Sequence, residues 1–435
     1  MKGLTQMGLH RFKPMPSGRM GIFWALSGIR EAAVVEFGCM GHNLYSGSSL
    51  RRSGIYEGYG ASLYTTYIDE TDISLGNTAR LSATIDHVIK TDRPKAIFLQ
   101  PSAVPEVIGT DMFALSKTMQ PDFPGTPLIP VGHGSFAISQ HRGVQEALLT
   151  LARALPEDAG PNGPIVPGGP NGPIVSGGPG RAGYNIIGSC PDLFRSGADA
   201  LEIIRIMKGA FGEDKICVLS SAASVTDIKT MGAARANLVI RREGIAAAEA
   251  LRERFGTPYF YGRPYGIEGT SVWLRGAGKA LGAEPDAGFI ESERRLALDQ
   301  IDAAYDYLEG NEWSYPDEAV LTIGGHYDVV KGILAYATTE IPLRKGVCWC
   351  DCPEMGDAEI PYFSEKEWIP VVENHAKGYL MFSGEALNWA GKNAQLQIAY
   401  PDKEWRLHPY EPPFVGYRGA VHLVNLWINE YTRTH

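Results

Sequence analysis

Apolar residues in this chain gather in short β-branched runs, each followed by a glycine-containing turn and then by residues with helical spacing. The run AAVVEF at 32–37 predicts a strand, and so does AIFL at 96–99, with a helix near 111–118 after it. YNIIG at 184–188 predicts another strand, followed by a helix over 198–208. Further strands are predicted at 216–220, 319–323 and 379–382, with helices at 244–255 and 327–335. Strands alternating with helices in this way build parallel sheets covered on both faces, an α/β architecture. Such sheets take their ligands at the carboxyl ends of the strands. The informative positions are therefore those just after each apolar run.

One segment breaks the alternation. GPNGPIVPG at 160–168 returns almost unchanged as GPNGPIVSG at 169–177. Proline and glycine at this density form neither a helix nor a central strand. Two copies are too few to stack into a solenoid. The segment reads as a linker, and it divides the chain into an N-terminal α/β domain at 1–155, a Gly/Pro-rich stretch at 156–180, a second α/β domain at 181–311 and a third at 312–435. The last domain closes with a turn and an amphipathic helix over 413–429.

Composition narrows the function. A chain of 435 residues exceeds one compact core. A net charge of −9 argues against a nucleic-acid partner, which would ask for a basic face. The opening residues lack the continuous apolar core of a signal peptide. No stretch reaches the roughly 18–20 apolar residues of a membrane span. A cytoplasmic location with no membrane partner is the expectation. There is also no G-x-x-x-x-G-K-[ST], so this chain is not expected to hydrolyse ATP through a P-loop.

The cysteines number six. In a large chain of a reducing compartment they are buried small hydrophobes or working thiols. Cys217, within KICVLSS, reads as core, and Cys190, within NIIGSCPD, reads as buried just past a strand. Cys39 is different. The 32–37 strand ends directly in Gly38-Cys39, and Gly38 and Gly41 let other backbone approach the thiol. That presentation suits a metal cluster; a buried structural cysteine is the plainer alternative. His42 stands where it could donate to a cluster sulfur, or lie on an interface surface. Cys348, Cys350 and Cys352 alternate, so an extended segment would turn all three thiols to one face, able to hold zinc, iron or part of a cluster. The opposing reading is a buried loop of inert thiols. Glu106 and Asp111 are expected to cap the helix after Gly109.

The order GCMGH (38–42), LYTTYIDETDISLGN (63–77) and PEVIGTD (105–111), with NIIG (185–188) and FVGYRGAVHLVN (414–425), resembles nitrogenase component 1. That family also includes a cofactor-assembly scaffold, the dark tetrapyrrole reductases, a nickel-tetrapyrrole cyclase and the methylthio-alkane reductases. The resemblance implies three Rossmann-like, doubly wound parallel-sheet domains. It implies a β-type subunit of an oxidoreductase that is catalytic only in complex. Its partners would be an α-type subunit, or a second copy of itself, and an ATP-dependent iron protein that donates electrons. Its cofactor would be an iron–sulfur cluster shared with the partner, of four irons or of the larger P-cluster kind, with a larger iron–sulfur cofactor in the partner chain.

A full β-type subunit offers three cysteines to that cluster, and here Cys39 alone matches. The second position falls in 64–67, among threonines, and the third at Ser102. Either Cys39 serves a smaller cluster completed by the partner, or Ser102 or an acidic residue substitutes as an oxygen ligand. The preference of iron–sulfur sites for thiolate favours the first. By the same resemblance, 348–352 would line a catalytic cavity. His408 precedes a Gly-Tyr segment like that near a cofactor histidine, and reads as structural. LVIRREG at 238–244 stands where a cofactor cysteine would be. Reduction of methylthio-alkanes is the substrate reading preferred over tetrapyrroles; a non-catalytic scaffold is the alternative.

Overall fold

The computed structural model describes residues 16–39, 60–132, 138–157, 181–220, 223–310, 319–341, 343–375, 378–388, 390, 394–399 and 411–434. The Gly/Pro repeat, His42 and His408 lie outside them. Among the described residues there are three four-stranded sheets. The first holds β1 (Ala32–Phe37), β2 (Ser62–Thr65), β3 (Ala96–Pro101) and β4 (Leu128–Pro130) in the order β2-β1-β3-β4. The second holds β5 (Tyr184–Ser189), β6 (Lys215–Ser220), β7 (Ala236–Val239) and β8 (Tyr259–Tyr261) in the order β6-β5-β7-β8. The third holds β9 (Val320–Gly325), β10 (Arg344–Cys350), β11 (Tyr379–Ser383) and β12 (Ala394–Ala399) in the order β10-β9-β11-β12. The α/β class and the parallel sheets are as expected from the apolar runs. Most of those strands extend one or two residues further than their apolar cores, because a strand's last residues pair through backbone groups that composition does not mark.

The described residues divide into two compact units, one of 16–192 with 215–259, the other of 193–214 with 260–434. In the first unit, β1 and β3 are buried along their whole length, as expected of strands covered on both faces. Ala33, Val35 and Phe37 alternate onto one face, where they meet Ile97 and Leu99 of β3 and Leu81, Ile85 and Val88 of the Ala79–Asp92 helix. Glu36 takes the other face and pairs with Arg19 of the Gly18–Ser27 helix. That helix lies close against the Gln140–Ala154 helix. A Cβ on Gly143 would sit 1.9 Å from the Gly18 carbonyl oxygen, so only glycine allows the approach. In the second unit, the core beside the third sheet gathers Trp349, Val372, Leu380, Phe382 and Ala399.

Several helices were not expected from the apolar pattern, among them Gly18–Ser27, Ala79–Asp92, Gln140–Ala154, Ile267–Leu281 and Ala287–Gly310. Gly18–Ser27 is buried throughout, so it carries no polar face to betray its period. Ala287–Gly310, 24 residues long, is rich in charge and alanine, which blurs its apolar stripe.

Candidate functional site

Each sheet repeats one topology. The chain leaves the first strand of the set for a neighbour on one side, then returns to add the third strand on the other side. The crevice between the carboxyl ends of the first and third strands is the switch point, where such folds bind ligands. Three switch points can therefore be compared.

At the first, β1 ends at Phe37 and is followed by Gly38 and Cys39, while β3 ends at Pro101, in register with Phe37, and is followed by Ser102. The Ser102 N–H donates to the Phe37 carbonyl at 2.9 Å. Cys39 is half-buried against the core of this sheet. Gly38 is fixed by the threonines at and after the end of β2. Its N–H donates to Thr66 Oγ1 at 3.0 Å, and its carbonyl accepts from the Thr65 hydroxyl at 3.2 Å, the Thr66 hydroxyl at 3.4 Å and the Ile68 N–H at 3.1 Å. A Cβ on Gly38 would lie 2.1 Å from Ser102 Oγ, so the serine side chain fills the place a larger residue would take. Ser102 is 0% exposed, and its hydroxyl has no hydrogen-bond partner among the described residues.

Beyond the strands, Asp69 caps the Glu70–Leu75 helix by accepting from the Thr71 and Asp72 N–H groups, and Asp72 closes the capping box. Arg80 binds both carboxylates. The acidic segment of the GCMGH–PEVIGTD pattern is thus a helix start with its own counter-ion. Asp111 caps the Met112–Met119 helix through Phe113 and Ala114, as expected. Glu106 does not cap that helix; it lies inside the short Ala103–Val107 helix, and one of its carboxylate oxygens is buried without a partner among the described residues. A cavity of about 320 Å³ opens beside Phe37, lined by Ile68, Ile73, Asn77, Ile108 and Leu115.

The second switch point is filled by the chain's own charges. Arg241 follows β7 and is fully buried. It binds Asp192 through Nη1 at 2.7 Å and Nη2 at 3.0 Å, and Glu243 through Nη2 at 2.7 Å. Gln140 Nε2 donates to Asp192 at 2.9 Å, and His141 Nδ1 lies 3.0 Å from Glu243. Gly188, in β5 at φ +107°, makes room: a Cβ there would meet Arg241 Cγ at 2.5 Å. Burial pushes the Asp192 carboxyl up, and the Arg241 guanidinium more than offsets it, leaving the group below the usual carboxylate range. Cys190 is wholly buried, and burial followed by the Asp192 charge pushes its thiol well up. Cys217 sits in β6 as core, as expected.

At the third, His326 follows β9 and caps the Tyr327–Thr339 helix, its Nδ1 accepting from the Asp328 N–H at 3.3 Å. Ser383, ending β11, accepts from the Ala386 N–H at 3.3 Å.

The sequence profile described as nitrogenase component 1 type oxidoreductase matches residues 17–314. The chain belongs to this family. The nitrogenase iron-molybdenum cofactor biosynthesis protein NifE of Sinorhizobium fredii is 25% identical over 83% of this chain and 70% of its own. The corresponding protein of Clostridium pasteurianum is 25% identical over 61% of this chain and 53% of its own. One polypeptide of the light-independent protochlorophyllide reductase of Nostoc punctiforme is 26% identical over 54% of this chain and 45% of its own. The chain spans about half the length of several of the curated relatives it matches. The solved structure "Nitrogenase Cp1 at pH 6.5" superposes with a TM-score of 0.77 over 98% of this chain and 94% of that one, at 18% identity, which shows the shared fold. Among the described residues no helix is long and apolar enough to cross a membrane.

In this nitrogenase component 1 chain, Cys39 and Ser102 come together at one switch point although they stand far apart in sequence, because β1 and β3 pair in parallel and end in register. Cys348 and Cys350 lie on the edge strand β10, with Trp349 between them turned into the core; Cys352 lies beyond the strand's end. The Cys348 thiol donates to the Glu359 carbonyl at 3.4 Å, and the Cys352 thiol to Glu354 at 3.0 Å. Cys350 Sγ accepts from the Cys352 N–H at 3.4 Å. Burial pushes the Cys348 thiol up; burial and then the Glu354 carboxylate do the same to Cys352. The Arg241 cluster was not foreseen from the sequence, where 238–244 stood out only as lacking a cysteine. The signal for it was a charged residue soon after each of two apolar runs, Arg241 directly after one and Asp192 four residues past the end of the other.

Proposed function

We propose that this chain is one subunit of a cytoplasmic nitrogenase-like reductase complex, and that Cys39 is its thiolate ligand to an iron–sulfur cluster completed by a partner subunit. The observation that carries this reading is a half-buried thiol just past the carboxyl end of β1, at the first sheet's switch point, where the paired strand β3 is followed by a buried hydroxyl with no partner among the described residues. One thiol suits a cluster held in common and not one enclosed by this chain. When bound, such a cluster stores and passes single electrons, here received from an ATP-dependent iron protein. This chain's own part is to fix the thiol: the threonine hydroxyls and the Ile68 N–H hold Gly38, and with it the backbone that carries Cys39.

Apolar side chains on the segments after β2 and β3 support the shared site. Leu75 is 76% exposed and Val107 82%, with Tyr67, Ile108 and Phe113 also exposed. Large apolar residues exposed together on two such segments mark a surface that a partner covers. The Arg241 cluster supports placing any larger cofactor in the partner, since its side chains already occupy the second switch point.

The test is anaerobic purification of the complex, with iron and acid-labile sulfide measured per chain. Cys39→Ala should lose most of the iron; unchanged iron and unchanged substrate reduction would remove Cys39 from the ligand set. A second reading, a scaffold on which a metal cofactor is assembled, is favoured by the relatives described as cofactor biosynthesis proteins. A scaffold passes its cluster to an apo-protein and reduces no substrate, so transfer and turnover assays separate the two.

A further inference from the structure

At two of the three switch points every side chain named above makes at least one bond within the chain, although Arg241 Nε and Gln140 Oε1 are left unbonded among the described residues. Arg241 is bound by Asp192 and Glu243, His326 accepts a helix N–H, and Ser383 does likewise. The first is different because of Ser102. Serine at the start of a helix ordinarily accepts from the N–H two or three residues on. Here Ser102 precedes the Ala103–Val107 helix and makes no such bond. The third helical residue is Pro105, which has no N–H to offer. Helix capping therefore does not account for the serine. The neighbouring threonines do not take its place, since their hydroxyls hold Gly38. What remains is a hydroxyl that is 0% exposed, without a partner among the described residues, and set against the end of β1 immediately before Cys39. A buried hydroxyl left unbonded is destabilising, so its presence points to a group that binds beside it.

We propose that the Ser102 hydroxyl donates a hydrogen bond to a sulfur of the cluster that Cys39 holds, and so raises that cluster's reduction potential. The inference rests on the reading of Cys39 given above. A donor role fits better than ligation through oxygen. Soft iron–sulfur sites favour thiolate over hydroxyl, whereas hydrogen bonds to cluster sulfurs stabilise the more negative, reduced state.

The experiment compares the wild-type complex with Ser102→Ala, and with Ser102→Gly should the alanine variant aggregate. Three quantities are read: iron and labile sulfide per chain, the midpoint potential from a redox titration followed by electron paramagnetic resonance, and the melting temperature of the iron-free chain. The expected result is iron retained, a midpoint shifted to more negative potential, and an iron-free chain that melts higher in Ser102→Ala because an unbonded buried hydroxyl is gone. An unchanged midpoint in the iron-loaded variant overturns the role of Ser102 while leaving Cys39 in place. So does an iron-free chain that melts lower, which would reveal a structural partner for the hydroxyl. Loss of iron as complete as in Cys39→Ala overturns the donor role in favour of ligation. A wild-type complex that takes up no iron overturns this inference together with the reading it rests on.

Discussion

Three hydroxyls stand close to Gly38, and their surroundings give them unlike tasks. Those of Thr65 and Thr66 bond the glycine's backbone, and that of Ser102 bonds nothing among the described residues. Their identities were readable as positions without cysteine; which of them is engaged was not, because the bonds cross between strands. Buried charge poses the same problem. Arg241→Met would leave Asp192 and Glu243 buried without their counter-ion, and should destabilise the chain by roughly 3–5 kcal/mol in urea unfolding. Single residues also set a pH dependence. Burial, and then the Arg195 guanidinium, lower the pKa of His422 from 6.5 to about 4. The folded state thus binds fewer protons than the unfolded state between these values. Stability that is intact above pH 6.5 is lost as the pH falls towards 4, by at most about 3 kcal/mol for this group. Melting temperature followed over that range should fall less steeply in His422→Phe, whose ring can keep the stacking on Phe414.

Elements in this protein begin and end by two kinds of device. The Glu70–Leu75 helix starts with a capping box from its own residues and stops at Gly76 in the left-handed region, all within a few positions. The Ile267–Leu281 helix has no side-chain cap from its preceding residue, Gly266. Its first N–H groups are bound instead by the Glu340 carboxylate, to Ile267 at 2.8 Å, Glu268 at 3.0 Å and Gly269 at 3.2 Å. Glu340→Ala should therefore cost about 1–2 kcal/mol, more than an exposed helix-end glutamate ordinarily contributes, and thermal unfolding measures it. The local cap could be read from the sequence around it. The distant one could not, since its two parts are 73 residues apart.

Across the molecule, one strand order serves three sheets, and the differences in chemistry lie at their switch points. A cluster completed by a partner makes iron retention depend on assembly. The chain purified alone should hold several-fold less iron than the chain purified with its partner, and loaded complex should melt higher than complex stripped by a chelator. Equal iron with and without the partner would count against a shared site. Residue type and spacing over a few positions were enough for the α/β class, the places of half of the described strands and the glycine-preceded cysteine at the end of β1. Apolar runs, turns and chain direction act locally, so the linear order carries them. The folded arrangement was needed to show that Ser102 stands across the switch point from Cys39, that its hydroxyl has no partner among the described residues, and that Arg241 is neutralised by Asp192, 49 residues away. Hydrogen bonds and ion pairs act over a few ångströms in space, and their partners are set by how the strands are ordered in the sheet, which no local pattern encodes.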